Sequence, residues 1–227
     1  MDDAPLTRRA SLVRLGGLLA GATALGGRQL VEGASAGPSA VAAGAVKCVL
    51  APEQTEGPYH LDDHLVRRNI TEGRRGIPLE LRLGVVDVST CRPIRGALVD
   101  VWHCDAAGVY SGVQGNDGSF LRGIQRTSSK GLAIFRTIYP GWYPGRTVHV
   151  HVQVSLGGDV VHTGQLYFPD AVTDRVYRRS PYDRRPGRSP RNGGDSIYRN
   201  GGKLSTLVLT RSGSGYVASI TMGVMRG

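Results

Sequence analysis

Two histidines one residue apart, in Arg146-Thr147-Val148-His149-Val150-His151, have the spacing of a metal-binding pair on a strand. Successive strand side chains alternate faces, so positions i and i+2 share one, and His149 and His151 would present adjacent imidazoles. Val148, Val150, Val152 and Val154 fill the alternate positions, opposite His149, His151 and Gln153. Neutral imidazole is a common metal ligand. Tyr110 and Tyr143 are the companions that raise the pair above a merely solvated strand face. A phenol ionises unaided only near pH ~10, but a strongly Lewis-acidic metal can hold it as phenolate near neutrality. Two phenolates with two imidazoles form a hard, anionic set that favours ferric iron, one per chain, over ferrous iron or zinc. Arg146 suits an anionic organic group bound beside that metal.

Strands must position these groups. After about Ala45 no helical periodicity of any length occurs. Apolar-alternating runs follow one another instead, at Leu79 to Val88, Ala97 to His103, Gly131 to Ile138, Val148 to Ser155, Val161 to Phe168, Leu204 to Thr210 and Tyr216 to Met225. Turn chemistry separates them, as in Gly115-Asn116-Asp117-Gly118, Ser129-Lys130-Gly131 and Gly157-Gly158-Asp159. The pattern predicts an all-β, antiparallel β-sandwich with short helical and long loop segments. One short helix is expected from Ala171 to Arg178. Tyr110 follows the second run by a short loop, and Tyr143 sits in the Gly/Pro-rich loop Tyr139 to Gly145 that feeds the histidine strand.

The chain has 227 residues, enough for one core. Thr7-Arg8-Arg9-Ala10-Ser11-Leu12, a mildly apolar Gly/Ala run to Leu25, and Ala34-Ser35-Ala36 predict a twin-arginine export signal over residues 1–36. A linker at 37–47 and one catalytic domain at 48–227 would follow. The expected product is secreted, with no stable membrane insertion once the signal is removed, because the apolar run is short and glycine-rich. In an oxidising compartment two of Cys48, Cys91 and Cys104 would pair. Cys91 and Cys104 flank a strand, beyond bridging distance, so Cys48 is expected to pair with one of them. The net charge of +10 is concentrated in Arg175 to Arg191, with seven arginines. That segment reads as a solvated loop or as a binder of an anionic polymer. Without aromatic platforms or a recognition fold, nucleic acid is not an expected partner.

The order of several motifs resembles the intradiol ring-cleavage dioxygenases, the family of catechol and protocatechuate dioxygenases. The matching segments are Thr55-Glu56-Gly57-Pro58-Tyr59, Ala97 to Trp102, Gly108-Val109-Tyr110, Phe120-Leu121-Arg122-Gly123, Phe135 to Tyr143, Arg146 to His151 and Gln165-Leu166-Tyr167-Phe168. The resemblance implies Tyr110 and His151 as equatorial and Tyr143 and His149 as axial ligands of ferric iron. It implies that Tyr143 accepts a substrate proton and that Arg146 stabilises the anionic ring. Tyr59, Trp102 and Gln165 would line the substrate site, and the partners would be a small aromatic diol and dioxygen. The two-residue spacing between Tyr143 and Arg146 suggests an open pocket, tolerant of catechol, alkyl-catechols and hydroxyquinol.

Two other readings stay open: a secreted sandwich with a vestigial metal site, and a copper enzyme using the same ligands. Monomer and homodimer also both stay open. Tyr139 competes with Tyr143 for the ligand role, although Tyr143 holds the register of the resemblance. His103 and His162 are not expected as ligands, and Asp100 is expected to face solvent.

Overall fold

The computed structural model describes residues 48–226 apart from Pro186 and Ser189. The expected export signal and linker lie outside the described residues. The strands are β1 (Pro78–Asp87), β2 (Leu98–Trp102), β3 (Arg122–Arg126), β4 (Leu132–Ile138), β5 (His149–Leu156), β6 (Asp159–Tyr167), β7 (Val208–Ser212) and β8 (Gly215–Val224). Among the described residues one α-helix, α1 (Asp170–Val176), follows β6. Two four-stranded sheets form, in the orders β4-β1-β8-β7 and β3-β2-β5-β6. The second sheet is antiparallel throughout. The first departs from the expected antiparallel pattern at one pairing, since β1 runs parallel to β8, the last strand of the chain. Among the described residues no helix is long and apolar enough to cross a membrane.

Alternation builds the core. Leu81, Leu83 and Val85 of β1 and Ala218, Ile220 and Met222 of β8 meet Val99 and Val101 of β2 and Val150, Val152 and Val154 of β5. At roughly 25 cal/mol per Å² of apolar surface removed from water, this layer is what holds the sheets face to face. The β5–β6 hairpin turns through Gly157 and Gly158, both at positive φ (64° and 107°). Such a two-residue turn matches the strand twist, and the one-residue register shift between Val154 and Ser155 then puts His149 opposite Tyr167 and His151 opposite Gln165.

Two elements differ from expectation. β3, Arg-Gly-Ile-Gln-Arg, is a polar edge strand with no apolar alternation to betray it, and it pairs along β2. The expected strand from Leu204 splits. Leu207 donates its N–H to Tyr167 O and Ser205 O accepts from Tyr167 N at the end of β6, before the chain crosses to the first sheet as β7. The segment from Cys48 to Ile77 forms no full strand but touches both sheets through isolated pairings, Leu50 with Gly223, Val66 with Ile124 and Asn69 with Arg136. It therefore crosses above the outer face of the second sheet. Cys48 is bonded to Cys91, as one of the two expected options, and Cys104 is free and buried.

Candidate metal centre

In β5 the valines face the core, so His149 and His151 point to the outer face of the second sheet. Strand pairing lines up Arg122, Trp102, His151 and Gln165 across β3, β2, β5 and β6, and directly opposed residues share a face. This face is not solvated: His149 is 2% and His151 1% exposed. The segment 55–60 and the loops carrying Tyr110 and Tyr143 cover it.

Each covering loop has a specific anchor. Asp105 Oδ1 accepts the N–H groups of Ala107 and Val109, at 2.9 and 3.0 Å, shaping the turn that delivers Tyr110. Arg122, 3% exposed, donates to Tyr59 O at 2.7 Å and to Ser111 O at 2.7 Å, so one guanidinium ties the Tyr59 segment to the Tyr110 loop. Gly57, at φ +74°, passes so close that a Cβ there would lie 3.2 Å from His151 Cε1. Gly141 packs against the Asp105 and Ala106 carbonyls in the loop that leads to Tyr143.

These anchors bring the four expected ligands together. Tyr143 Oη lies 3.0 Å from His149 Nε2, and the two Nε2 atoms lie 3.1 Å apart. The Tyr110 ring is 5.8 Å from that of Tyr143 and 6.1 Å from that of His151. His149 Nδ1 is 2.6 Å from Thr147 O. A carbonyl can only accept, so Nδ1 carries the proton and Nε2 offers a lone pair into the cluster. The Tyr110 hydroxyl and His151 Nδ1 are buried without a hydrogen-bond partner. Burial pushes His149 down to about 3 and His151 well below its ordinary value, with the positive Arg146 adding to both shifts. Both imidazoles are therefore neutral and competent as ligands. Burial also raises Tyr110 and pushes Tyr143 up to about 12, against the pull of Arg146. In that environment only a strong cation would hold these phenols ionised. Facing lone pairs and an orphaned buried hydroxyl are what a metal between them would satisfy, so the donor set fits ferric iron. Among the described residues no three His, Cys, Asp or Glu side chains gather as a metal site, so a centre here depends on its tyrosines.

The remaining expected residues take distinct places. Trp102 stacks on His151, with ring centroids 5.0 Å apart and 6° between planes, and its Nε1 is buried without a partner. Tyr59 packs 4.5 Å from the Tyr110 ring. The amide of Gln165 is occupied: Oε1 accepts from Arg146 and from Tyr167 Oη, and Nε2 donates to Thr55 O at 2.9 Å. Tyr139 lies in the core beneath Phe168 and bonds Thr173, away from the cluster. His103 bridges Cys104 O and Thr137 Oγ1, and His162 bonds Glu53, so neither joins it.

Asp100 does not face solvent as expected. It accepts from His60 Nε2 at 3.0 Å, and His60 in turn packs against Trp102. The reason is the segment above β2, which places His60 over Asp100 and turns a polar strand position into a partly buried hydrogen-bonded pair. Sequence reasoning also missed Asp195, Arg122 and Asp105, whose partners are distant or local backbone groups that no spacing marks. Of the arginine-rich segment, Arg188 and Arg191 pair with Asp170 and Asp174 of α1, and Arg185 packs on Trp142 while donating to its carbonyl.

The dioxygenase family model matches residues 51–175. An intradiol ring-cleavage dioxygenase from Tetranychus urticae is 34% identical, with a TM-score of 0.76 over 78% of this chain and 95% of that one. The dioxygenase domain of a carbohydrate-binding fusion from Streptomyces sp. SirexAA-E is 31% identical, with a TM-score of 0.62 over 79% of this chain and 100% of that one. A chlorocatechol 1,2-dioxygenase from Pseudomonas putida is 31% identical over 137 residues, 50% of this chain and 52% of its own. The chain thus spans about half the length of the curated relatives it matches.

Proposed function

Since the chain belongs to the intradiol ring-cleavage dioxygenases, we propose that it cleaves catechol-type rings between the two hydroxylated carbons. The convergence of Tyr110, Tyr143, His149 and His151 on one buried point is the observation that carries this reading. Ferric iron held there would supply the Lewis acidity that binds a catecholate and makes its ring reactive toward dioxygen. Tyr143, the less buried of the two phenols, would accept a proton from a catechol hydroxyl at its Oη. Arg146 would offset the negative charge of the ring by hydrogen bonding. Tyr59 and Trp102 would bound the space beside the ring, and Gln165 would hold Arg146 and the Thr55 segment in place. One catechol and one dioxygen account for every atom of the product, a cis,cis-muconic acid type of diacid.

Export by the twin-arginine route belongs to the same proposal. The Cys48–Cys91 bridge supports an oxidising compartment, and the Streptomyces relative, from a cellulolytic bacterium by its description, suits substrates released from plant material.

The test is metal analysis and visible spectroscopy of protein expressed with ample iron. About one iron per chain is expected, with a phenolate-to-iron band that Tyr143→Phe alters. Copper in its place would favour the copper alternative, and a colourless protein with no metal would favour a vestigial site. Incubation with catechol should yield a diacid, distinguishable by mass from a semialdehyde.

A further inference from the structure

Arg146 is held by more than Gln165. Its Nε lies 2.9 Å from Asp195 Oδ2, and the same oxygen accepts Thr147 N–H at 2.8 Å. The Asp195 side chain is 0% exposed. Its other oxygen accepts Ile197 N–H at 2.8 Å and Tyr198 N–H at 3.2 Å. A carboxylate with four donors around it has a single orientation, and Asp195 is held below the usual carboxylate range although burial alone would raise it, because Thr147 N–H and Arg146 bind its charged form. Beside it, Thr147 Oγ1 donates to Asn192 Oδ1 at 2.7 Å, and Asn192 Nδ2 donates to Phe168 O at 2.9 Å. The segment 192–198 is thereby clamped across the entry to β5.

This clamp touches both halves of the site. Through the guanidinium it reaches the group assigned to the anionic ring. Through Thr147 it reaches the peptide whose carbonyl takes the His149 Nδ1 proton. Asp195 and Gln165 together bind the Nε and one terminal nitrogen of Arg146, so the remaining N–H groups have a fixed direction. The guanidinium fork presents its donors in one plane, and a plane fixed in advance costs no reordering during reaction.

We propose that Asp195 is a positioning residue that orients the Arg146 guanidinium toward the ring-binding space. This rests on the role given to Arg146 above. The test uses the full chain loaded with gallium(III), a diamagnetic stand-in for ferric iron, and the iron-loaded enzyme in parallel. In the gallium form, nitrogen-detected NMR should show a slowly exchanging arginine Nε–H that Arg146→Lys removes and Asp195→Asn exposes to exchange. In the iron form, Asp195→Asn should lower kcat about tenfold to a hundredfold, the scale of a misplaced catalytic group, with a smaller change in KM. Asp195→Glu, which keeps the charge, should recover part of that loss. In an Arg146→Ala background, Asp195→Asn should cost nothing further. An equal cost in both backgrounds would mean that Asp195 supports the fold alone and would overturn the proposal. So would an Arg146 Nε–H that exchanges as fast as an exposed one in the wild type. That measurement stands even where Asp195→Asn fails to fold. If the iron-loaded wild type cleaves no catechol, the functional reading fails, and the exchange result still decides whether Asp195 fixes Arg146.

Discussion

At the level of single residues, the candidate centre gathers two imidazoles and two phenols that burial holds uncharged. His149 and His151 are neutral because they are buried, and Tyr110 and Tyr143 resist ionisation for the same reason. Each is thus ready to act only when a cation arrives. Arg146 lies outside the donor set, so Arg146→Ala should leave the iron content and the visible band in place while lowering turnover about a hundred- to a thousandfold, the usual loss for one electrostatic donor. Near-wild-type turnover would remove Arg146 from the reaction. Gly57 tests the second covering layer. Gly57→Ala adds a left-handed non-glycine, costing about 1–2 kcal/mol, and presses a methyl on the His151 ring. The visible band should shift in this variant. Gly157→Ala is the control: it has a similar φ of +64° and open space around its Cβ, so it should lose stability with no change in the spectrum.

At the level of elements, strand period and loop anchoring share the work. β5 places both imidazoles by alternation alone, whereas Tyr110 and Tyr143 depend on turns held by Asp105, Arg122 and Gly141. Helix α1 has a different task. Its Asp170 and Asp174 bind Arg188 and Arg191, and Arg188 is only 7% exposed. Replacing both carboxylates with Asn removes the negative charges that face the Arg188 guanidinium, at a cost of about 1.5–3 kcal/mol. Trypsin should then cut near Arg188 faster than in the wild type; unchanged cleavage would show that the ion pairs do not hold the segment. The hydrogen bond from Arg188 and then that from Arg191 lower the Asp174 carboxyl. Its folded-state value is depressed, so the stabilisation is present above the ordinary carboxylate range and is lost as pH falls through the folded value. The trypsin-resistant state should therefore be unaffected by moderate acidification. The same pairing explains why a run of seven arginines that reads as free charge is partly spent inside the fold.

At the level of the whole molecule, the Cys48–Cys91 bridge closes a loop with a sequence separation of 43. Cys91 follows β1 near Ile94, and Ile94 lines a cavity with Leu156 and Gly157, at the end of β5 remote from His149. Chain entropy puts the contribution of such a closure at about 4 kcal/mol. The variant with both Cys48 and Cys91 replaced by Ala should unfold at markedly lower urea concentration, and its iron band should match the wild type. A changed band would mean that the bridge also supports the site.

Much of the centre was legible before folding because its signals are local. Alternation told which face His149 and His151 share, turn residues bounded most strands, and the ligand types alone pointed to a hard, oxidised metal. The polar edge strand β3 escaped because it carries no apolar period, and the split before β7 escaped because the apolar run from Leu204 continues across it. What only the tertiary structure decided depends on contacts between distant parts of the chain. Strand pairing and loop closure set which cysteine meets Cys48, that β1 lies parallel to β8, and that His60 covers Asp100. They also bring Asp195, 49 residues beyond Arg146, beneath its guanidinium. A residue's type and period follow from its own neighbourhood, but its partner across 40 or more residues follows from how the sheets pack and where the loops can close, and no spacing in the sequence records that.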